Sequence, residues 1–298
     1  MKCSFCRNES VYFRNNEGHY YCKNHFIKNI EKRVKREIRI NQLIENGDMV
    51  AISYSGGRDS ANVLFMLNKI FRKNPKVKFF AITIDEGIEG YRDKFIKKIR
   101  FFSKKIGVQH YIFNFKEEFG VTFERTKSNH CSNCKLLKEY LINKKARELG
   151  ATKLAIGYNL NDECESIITN LLSGNLLGLV KIGNIQKTLH PKSVARIKPL
   201  IMIPERESIL YGKLNKVPSL IRKCPYRMDD SLQIEARTFL SNLENSSLGL
   251  RYSLYENSLK IANFLKTNLK NEKIGTCKRC GESSEKDLCK VCELLKKF

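Results

Sequence analysis

The chain has 298 residues, long enough for a full α/β core with one or two small modules, and 55 Lys and Arg against 31 Asp and Glu leave a net charge of +24. This basic excess is spread along the whole chain rather than held in a tail, which favours a polyanion partner, nucleic acid foremost, over a merely solvated basic surface. The first thirty residues hold no apolar signal core and no stretch nears the roughly 18 apolar residues of a membrane span, so no membrane is expected and the chain reads as soluble and cytoplasmic.

In chain order, Cys3-x-x-Cys6 and Cys22-x-x-His25 come first, separated by fifteen residues. They supply four ligands at structural zinc-knuckle spacing, with two short strands around Asn15–Gly18 between them. His19 is a rival ligand or a surface hairpin histidine. Phe26–Glu45 then shows helical spacing of Ile27, Ile30, Val34, Ile38 and Leu43, with a basic opposite face that either is solvated or docks RNA.

Strand–helix alternation follows. Met49–Tyr54, Phe79–Asp85, His110–Phe115 and Thr152–Ile156 read as strands, with helices over Ser60–Phe71, Arg92–Ile106 and Lys135–Leu149. Near-continuous apolar strands in a βαβ rhythm predict a buried parallel sheet flanked by helices, with nucleotide at the strands' carboxyl ends. The first strand runs into Ser55-Gly56-Gly57-Arg58-Asp59-Ser60, a glycine-rich turn opening a helix. Such a turn cradles phosphate, because glycine lets the backbone approach an anion and the helix start offers free N–H groups. It lacks the Gly-Lys-Ser/Thr ending of a Walker A loop. Residues 174–191 show no clear period and read as a loop or flap, whereas Ile203–Asn215 and Ser231–Leu243 read as helices. At the end, Cys277-x-x-Cys280 and Cys289-x-x-Cys292 have zinc-ribbon spacing.

Eleven cysteines in a chain read as cytosolic suggest metal ligands or reactive thiols rather than disulfides. Cys131-Ser132-Asn133-Cys134 stands apart, placed just before the predicted helix at Lys135, with no second pair nearby. Cys224, in a Cys-Pro-Tyr run, is the best remaining partner. Three thiolates on one centre would leave a coordination position open; the alternative is that Cys131 and Cys134 are redox or structural thiols and Cys224 a small buried residue. Cys164 reads as a core cysteine.

The ordered set of knuckle, SGG-x-DS loop, central Cys-x-x-Cys, Gly157-Tyr158-Asn159-Leu160-Asn161-Asp162-Glu163, Cys-Pro-Tyr and terminal ribbon resembles the TtuA/NcsA group of tRNA 2-thiouridine synthetases over essentially the whole chain. The resemblance implies a PP-loop (adenine nucleotide alpha-hydrolase-like) domain. It also implies ATP with Mg2+, a 4Fe-4S cluster on Cys131, Cys134 and Cys224, and two Zn2+ in the terminal modules. Ser55, Gly56, Gly57, Asp59 and Ser60 would bind the phosphates, with Ser53 and Ile84 near the adenosine and Gly157 at the end of the fourth strand. Lys138 would stand beside nucleotide and cluster, and Asp162 would accept a proton or hold magnesium. Where the family carries lysine, histidine, aspartate and alanine, this chain has Arg58, Tyr158, Asn161 and Cys164. Implied partners are tRNA, a sulfur donor (sulfide or a thiocarboxylated ubiquitin-like carrier) and a second copy in a homodimer.

The expected divisions are a knuckle over 1–26, a basic linker helix over 27–47, the PP-loop domain over 48–230, a helical segment over 231–272 and a ribbon over 273–298. Residues 84–93 and 236–240 look more like the branch that modifies the wobble uridine than the one that modifies a T-loop uridine. Rival readings are a PP-loop ligase that adenylates a base and adds an amine, and an RNA-binding protein with a decayed PP-loop.

Overall fold

A computed structural model describes residues 1–121, 130–186, 190–220, 224–226, 232–268 and 275–296. The chain opens with an antiparallel hairpin of β1 (Tyr12–Arg14) and β2 (His19–Tyr21), then α1 (Lys23–Ile40). Helix α1 buries Phe26, Ile30, Val34 and Ile38, the four-residue spacing of a helix with one apolar stripe. It begins three residues earlier than the apolar pattern suggested and stops at Ile40.

The core alternates β3 (Met49–Ser53), α2 (Arg58–Phe71), β4 (Lys78–Asp85), α3 (Asp93–Lys105), β5 (Gln109–Asn114), the short α4 (Phe115–Phe119), α5 (His130–Glu148), β6 (Lys153–Ala155), α6 (Leu160–Leu172) and α7 (Leu176–Val180). Then come β7 (Ile185–Gln186), β8 (Ala195–Ile197), α8 (Glu205–Leu214), α9 (Leu232–Ser246) and α10 (Leu250–Asn268), and finally β9 (Gly275–Thr276), β10 (Ser283–Ser284) and α11 (Lys290–Leu295). The central sheet has the order β5-β4-β3-β6-β8-β7, parallel except for β7. Buried apolar residues of β3 and β4 such as Val50, Ile52, Ala81 and Ile82 face helices on both sides of this mainly parallel sheet.

All four expected strands form. Residues 174–191, read as a loop, contain α7 and β7: Asn175 caps α7 by accepting from the Gly178 N–H, and β7 is only two residues long, too short to show a period. Helix α5 starts at His130, so Cys131 and Cys134 lie within its first two turns rather than before it. The expected boundaries at 230/231 and 272/273 lie outside the described residues.

Both terminal modules are docked by buried charge. Arg14, 1% exposed, donates through Nε to Glu207 Oε1 of α8 at 2.7 Å, and Arg33 of α1 donates to Glu207 Oε2 at 2.6 Å. Arg33 also reaches the Met202 carbonyl at 2.6 Å and the Tyr252 hydroxyl at 2.8 Å. At the other end, Glu282 pairs with Arg147 of α5, and Val291 packs into the apolar cluster that contains Leu137 and Leu141. No described helix is long and apolar enough to cross a membrane.

Candidate active site

Strand order reverses between β3, whose chain moves on to β4 on one side, and β6, whose chain moves on to β7 and β8 on the other. Such a switch point opens a crevice at the strands' carboxyl ends, where α/β folds bind ligands. A cavity of about 380 Å³ lies there, lined by Ser53, Ser55, Gly57, Arg58, Asp59, Ser60, Gly157 and Leu220. Six of the eight residues expected to bind nucleotide therefore line one hollow. Gly56 sits behind it and Ile84 is buried at the end of β4, 5% exposed.

The glycines have different reasons. Gly56 has φ +82°, and a Cβ there would meet the Phe95 ring at 2.7 Å. A Cβ on Gly57 would meet only the Ser55 hydroxyl at 3.3 Å, so what Gly57 leaves open is the approach from the cavity. Gly157 passes so close beneath the start of α2 that a Cβ would stand 2.4 Å from the Ser60 nitrogen and 2.7 Å from the Asp59 carbonyl carbon. The loop is tied internally: the Gly57 N–H donates to Ser55 Oγ at 3.2 Å, Ser60 Oγ donates to the Gly57 carbonyl at 2.8 Å, and Leu220 N–H donates to the Gly56 carbonyl at 2.7 Å.

Two carboxylates, Asp59 and Asp162, are joined through Asn159. Asp59 accepts from the Ser208 hydroxyl and, at 3.1 Å, from Asn159 Nδ2. Burial raises its pKa, against those two hydrogen bonds. Asn159 and Asp162 form a capping box at the start of α6: Asn159 Oδ1 accepts from the Asn161 and Asp162 N–H groups, and Asp162 Oδ2 accepts from the Asn159 N–H at 3.1 Å. Burial pushes the Asp162 carboxyl up to about 7; the Asn159 N–H opposes this, while the negative charges of Asp59, Glu165 and Glu205 add to it. A carboxyl placed there can hold or release a proton near neutrality.

The departures from the family pattern are accommodated. Arg58, 45% exposed, pairs with Glu205 at 3.0 Å. Asn161 Oδ1 accepts from the Glu205 N–H at 3.0 Å, tying α6 to the start of α8. Lys198 Nζ stands 5.3 Å from the centre of the Tyr158 ring, and the same ammonium forms a buried pair with Glu163 at 2.7 Å. Cys164 is fully buried, its thiol donating to the Arg251 carbonyl at 3.3 Å.

The central cysteines occupy an adjoining edge. Cys131 and Cys134 are one turn apart on α5, Cys131 exposed and Cys134 buried. Cys134 and half-buried Cys224 pack against one apolar cluster. Burial pushes the Cys134 thiol up to about 11; Lys138 lowers it, whereas Glu86 and Cys224 raise it further. Lys138 Nζ, one turn beyond Cys134, donates to Glu86 Oε1 at 2.9 Å. Arg92 donates to both Glu86 oxygens and to the Ser55 carbonyl. A chain of charged side chains thus runs from the thiol edge to the first residue of the phosphate loop. Glu86, Arg92, Asn159, Ser208 and Glu205 were not singled out from sequence. Only Asn159, three residues before Asp162, carried a readable signal, that of a capping box.

The terminal sets fit a metal ion. The ligand atoms of Cys3, Cys6, Cys22 and His25 lie within 4.8 Å of one another, as do those of Cys277, Cys280, Cys289 and Cys292. Cys6 and Cys22 sulfurs are 3.7 Å apart and Cys280 and Cys289 sulfurs 3.6 Å, near the edge of about 3.8 Å of a tetrahedron with zinc–sulfur bonds of about 2.3 Å. His19 is outside the set; its ring lies against Phe5. Among the described residues, Cys131, Cys134 and Cys224 do not form a set with sulfurs within 4.8 Å of one another.

The comparisons agree with this geometry. Residues 26–231 match the model of the PP-loop domain. The tRNA 2-thiolation protein NcsA of Haloferax volcanii is 31% identical, with 99% of this chain and 98% of that protein covered. The tRNA-5-methyluridine(54) 2-sulfurtransferase of Pyrococcus horikoshii is 30% identical over 98% of this chain and 93% of its own length. The solved structure of the U34-tRNA thiolase NcsA from Methanococcus maripaludis with its 4Fe-4S cluster superimposes with a TM-score of 0.88 at 32% identity, covering 100% of this chain and 96% of that one. The chain therefore belongs to the PP-loop family of tRNA 2-thiolation proteins that includes NcsA.

Proposed function

We propose that this protein is a cytoplasmic, ATP-dependent tRNA uridine 2-sulfurtransferase, acting on the wobble uridine. The observation that carries the reading is the join between phosphate cradle and thiol edge: Ser55, Arg92, Glu86, Lys138 and Cys134 form one connected path. In the reaction, the uridine C2 oxygen bonds to the α-phosphorus of ATP and pyrophosphate leaves. A sulfur nucleophile then bonds to C2 and AMP leaves with the former oxygen.

Ser55, Gly56, Gly57, Asp59 and Ser60 hold the phosphates with backbone N–H groups and hydroxyls, Ser53 lies toward the adenosine with Ile84 behind it, and Gly157 lets the strand end pass beneath. Lys138 supplies positive charge to the developing charge on phosphate and oxygen. Asp162 takes the proton that must leave the adduct, or holds the Mg2+ that accompanies ATP. Cys131, Cys134 and Cys224 would hold the cluster; when bound, a 4Fe-4S cluster on three thiolates offers one iron that binds sulfide. Cys3, Cys6, Cys22 and His25, and Cys277, Cys280, Cys289 and Cys292, would each hold Zn2+. The working divisions are 1–26, 27–47, 48–230, 231–272 and 273–298, with tRNA spanning the basic surface of a homodimer and sulfide or a thiocarboxylated carrier as donor. The wobble assignment is supported by residues 84–93 and 236–240, and by the U34 substrate in the name of the Methanococcus maripaludis enzyme.

The test is nucleoside mass spectrometry of unmodified tRNA after anaerobic incubation with protein, ATP, Mg2+ and sulfide. The expected product is 2-thiouridine at position 34, with one AMP per thiouridine. Thiolation at position 54 moves the assignment to the T-loop, and an amine adduct without sulfur contradicts the reading.

A further inference from the structure

Two buried charges at the edge of the site neither line the cavity nor offer a thiol: Glu86, 2% exposed, directly after β4, and Arg92, 6% exposed, directly before α3. A carboxylate this deep is tolerated only when both oxygens are paired, and here they are. Oε2 accepts from Arg92 Nε, while Oε1 accepts from Arg92 Nη2 and from Lys138 Nζ, each at 2.9 Å. The remaining Arg92 nitrogen, Nη1, donates to the Ser55 carbonyl, one residue before Gly56 with its φ of +82°. The planar fork of Arg92 thereby fixes Glu86 and Ser55 relative to one another, which a flexible ammonium cannot do. The Tyr91 ring covers the guanidinium at 5.1 Å. Without the Glu86 charge, Arg92 and Lys138 would be two cations repelling across the gap it fills, and Lys138 would be free to swing from the Cys134 edge.

We propose that Glu86 and Arg92 are positioning residues that form a rigid strut, holding the phosphate loop at Ser55 and the Lys138 ammonium in fixed register. The strut thus sets the distance between the activated uridine and the sulfur-bearing edge. Its Lys138 half rests on the sulfur-transfer reading; its Ser55 half requires only that the loop binds ATP.

The experiment compares Glu86→Gln, Lys138→Ala, the double variant and Arg92→Lys in the anaerobically purified full chain, confirmed folded by circular dichroism. ATP affinity is measured by calorimetry without tRNA, and single-turnover thiolation at saturating ATP. A glutamine has the same shape but only one accepting oxygen, so its amide NH2 must face a cationic donor. Glu86→Gln is expected to weaken ATP about tenfold or more and to slow single turnover. The double variant is expected within about twofold of Lys138→Ala alone, because Glu86 acts on the rate through that lysine. Arg92→Lys keeps the charge but loses the fork, so it is expected to weaken ATP about tenfold and to slow the saturated rate as well; this arm stands even if Glu86→Gln does not fold. ATP affinities within about twofold of the unaltered chain for Glu86→Gln or Arg92→Lys would overturn the strut. So would multiplying rate losses in the double variant. If the unaltered chain makes no thiouridine, the sulfur-transfer reading fails together with the Lys138 half, and the ATP affinities still decide the Ser55 half.

Discussion

Replacing Gly157 by alanine would place a methyl carbon 2.4 Å from the Ser60 nitrogen and 2.7 Å from both the Asp59 carbonyl carbon and Ser60 Cα. All three are backbone atoms of the first turn of α2, so no side chain can swing aside. The backbone at Gly157 is not in the left-handed region, so the effect is purely one of space. To reach ordinary contact near 3.4 Å the helix start must retreat by about an ångström, and overpacking of this kind costs about 1–3 kcal/mol. For a chain of this size that lowers the melting temperature by roughly 2–4 °C per kcal/mol. The same retreat pulls Asp59 from Asn159 and Ser208 and spoils the cradle, so ATP affinity should fall with stability. Gly57→Ala is the control: its Cβ meets only the Ser55 hydroxyl at 3.3 Å, and Gly57 sits in extended backbone at φ −66°. It should leave the melting temperature nearly unchanged, within about 0.5 kcal/mol, yet still weaken ATP by intruding on the phosphate side. Differential scanning calorimetry and ATP titration on both variants decide the point. Unchanged stability and affinity in Gly157→Ala, or equal destabilisation by the two, would mean that the close approach at Gly157 does not hold the phosphate loop.

Further predictions follow from the same geometry. Glu207→Ala removes the buried carboxylate that Arg14 and Arg33 share, with Glu17 left to Arg14, and should cost about 3–5 kcal/mol in urea unfolding, with Glu207→Gln losing less. Because the folded-state pKa of Asp162 is raised to about 7, its contribution to stability is full below the ordinary aspartate range and is lost as pH rises through 7. Asp162→Asn, which keeps an accepting oxygen for the Asn159 N–H, should flatten that part of the pH–stability profile while abolishing thiolation. Cys224→Ala should remove the iron and visible absorbance but leave ATP binding intact; retained cluster and full activity would remove Cys224 from the ligand set.

The sequence made legible whatever rests on short-range spacing. The two terminal ligand sets close as expected because each half comes from one tight turn, and the glycine turn after an apolar strand marked the cavity directly. What eluded it depends on distant segments meeting. Ser208 and Asn159 hold Asp59 from positions 149 and 100 residues away, and nothing local distinguishes that serine from any other. Glu86 and Arg92 lie in a run of charged residues whose ordinary reading is a solvated loop, and only the fold reveals that both are buried. Strand β8, which continues the sheet beside β6, buries only Ile197 of its three residues and so lacks the apolar run that marked β6. The start of α5 was misplaced because Cys131, Ser132 and Asn133 are indifferent helix formers.

The most direct test is iron, acid-labile sulfide and zinc content, with a visible spectrum, on protein purified without oxygen. About four irons and two zincs per chain are expected, from three central thiolates and two closed four-ligand sets. Zinc without iron after anaerobic reconstitution would contradict that expectation, and would leave the central cysteines to persulfide chemistry or to no part in sulfur transfer.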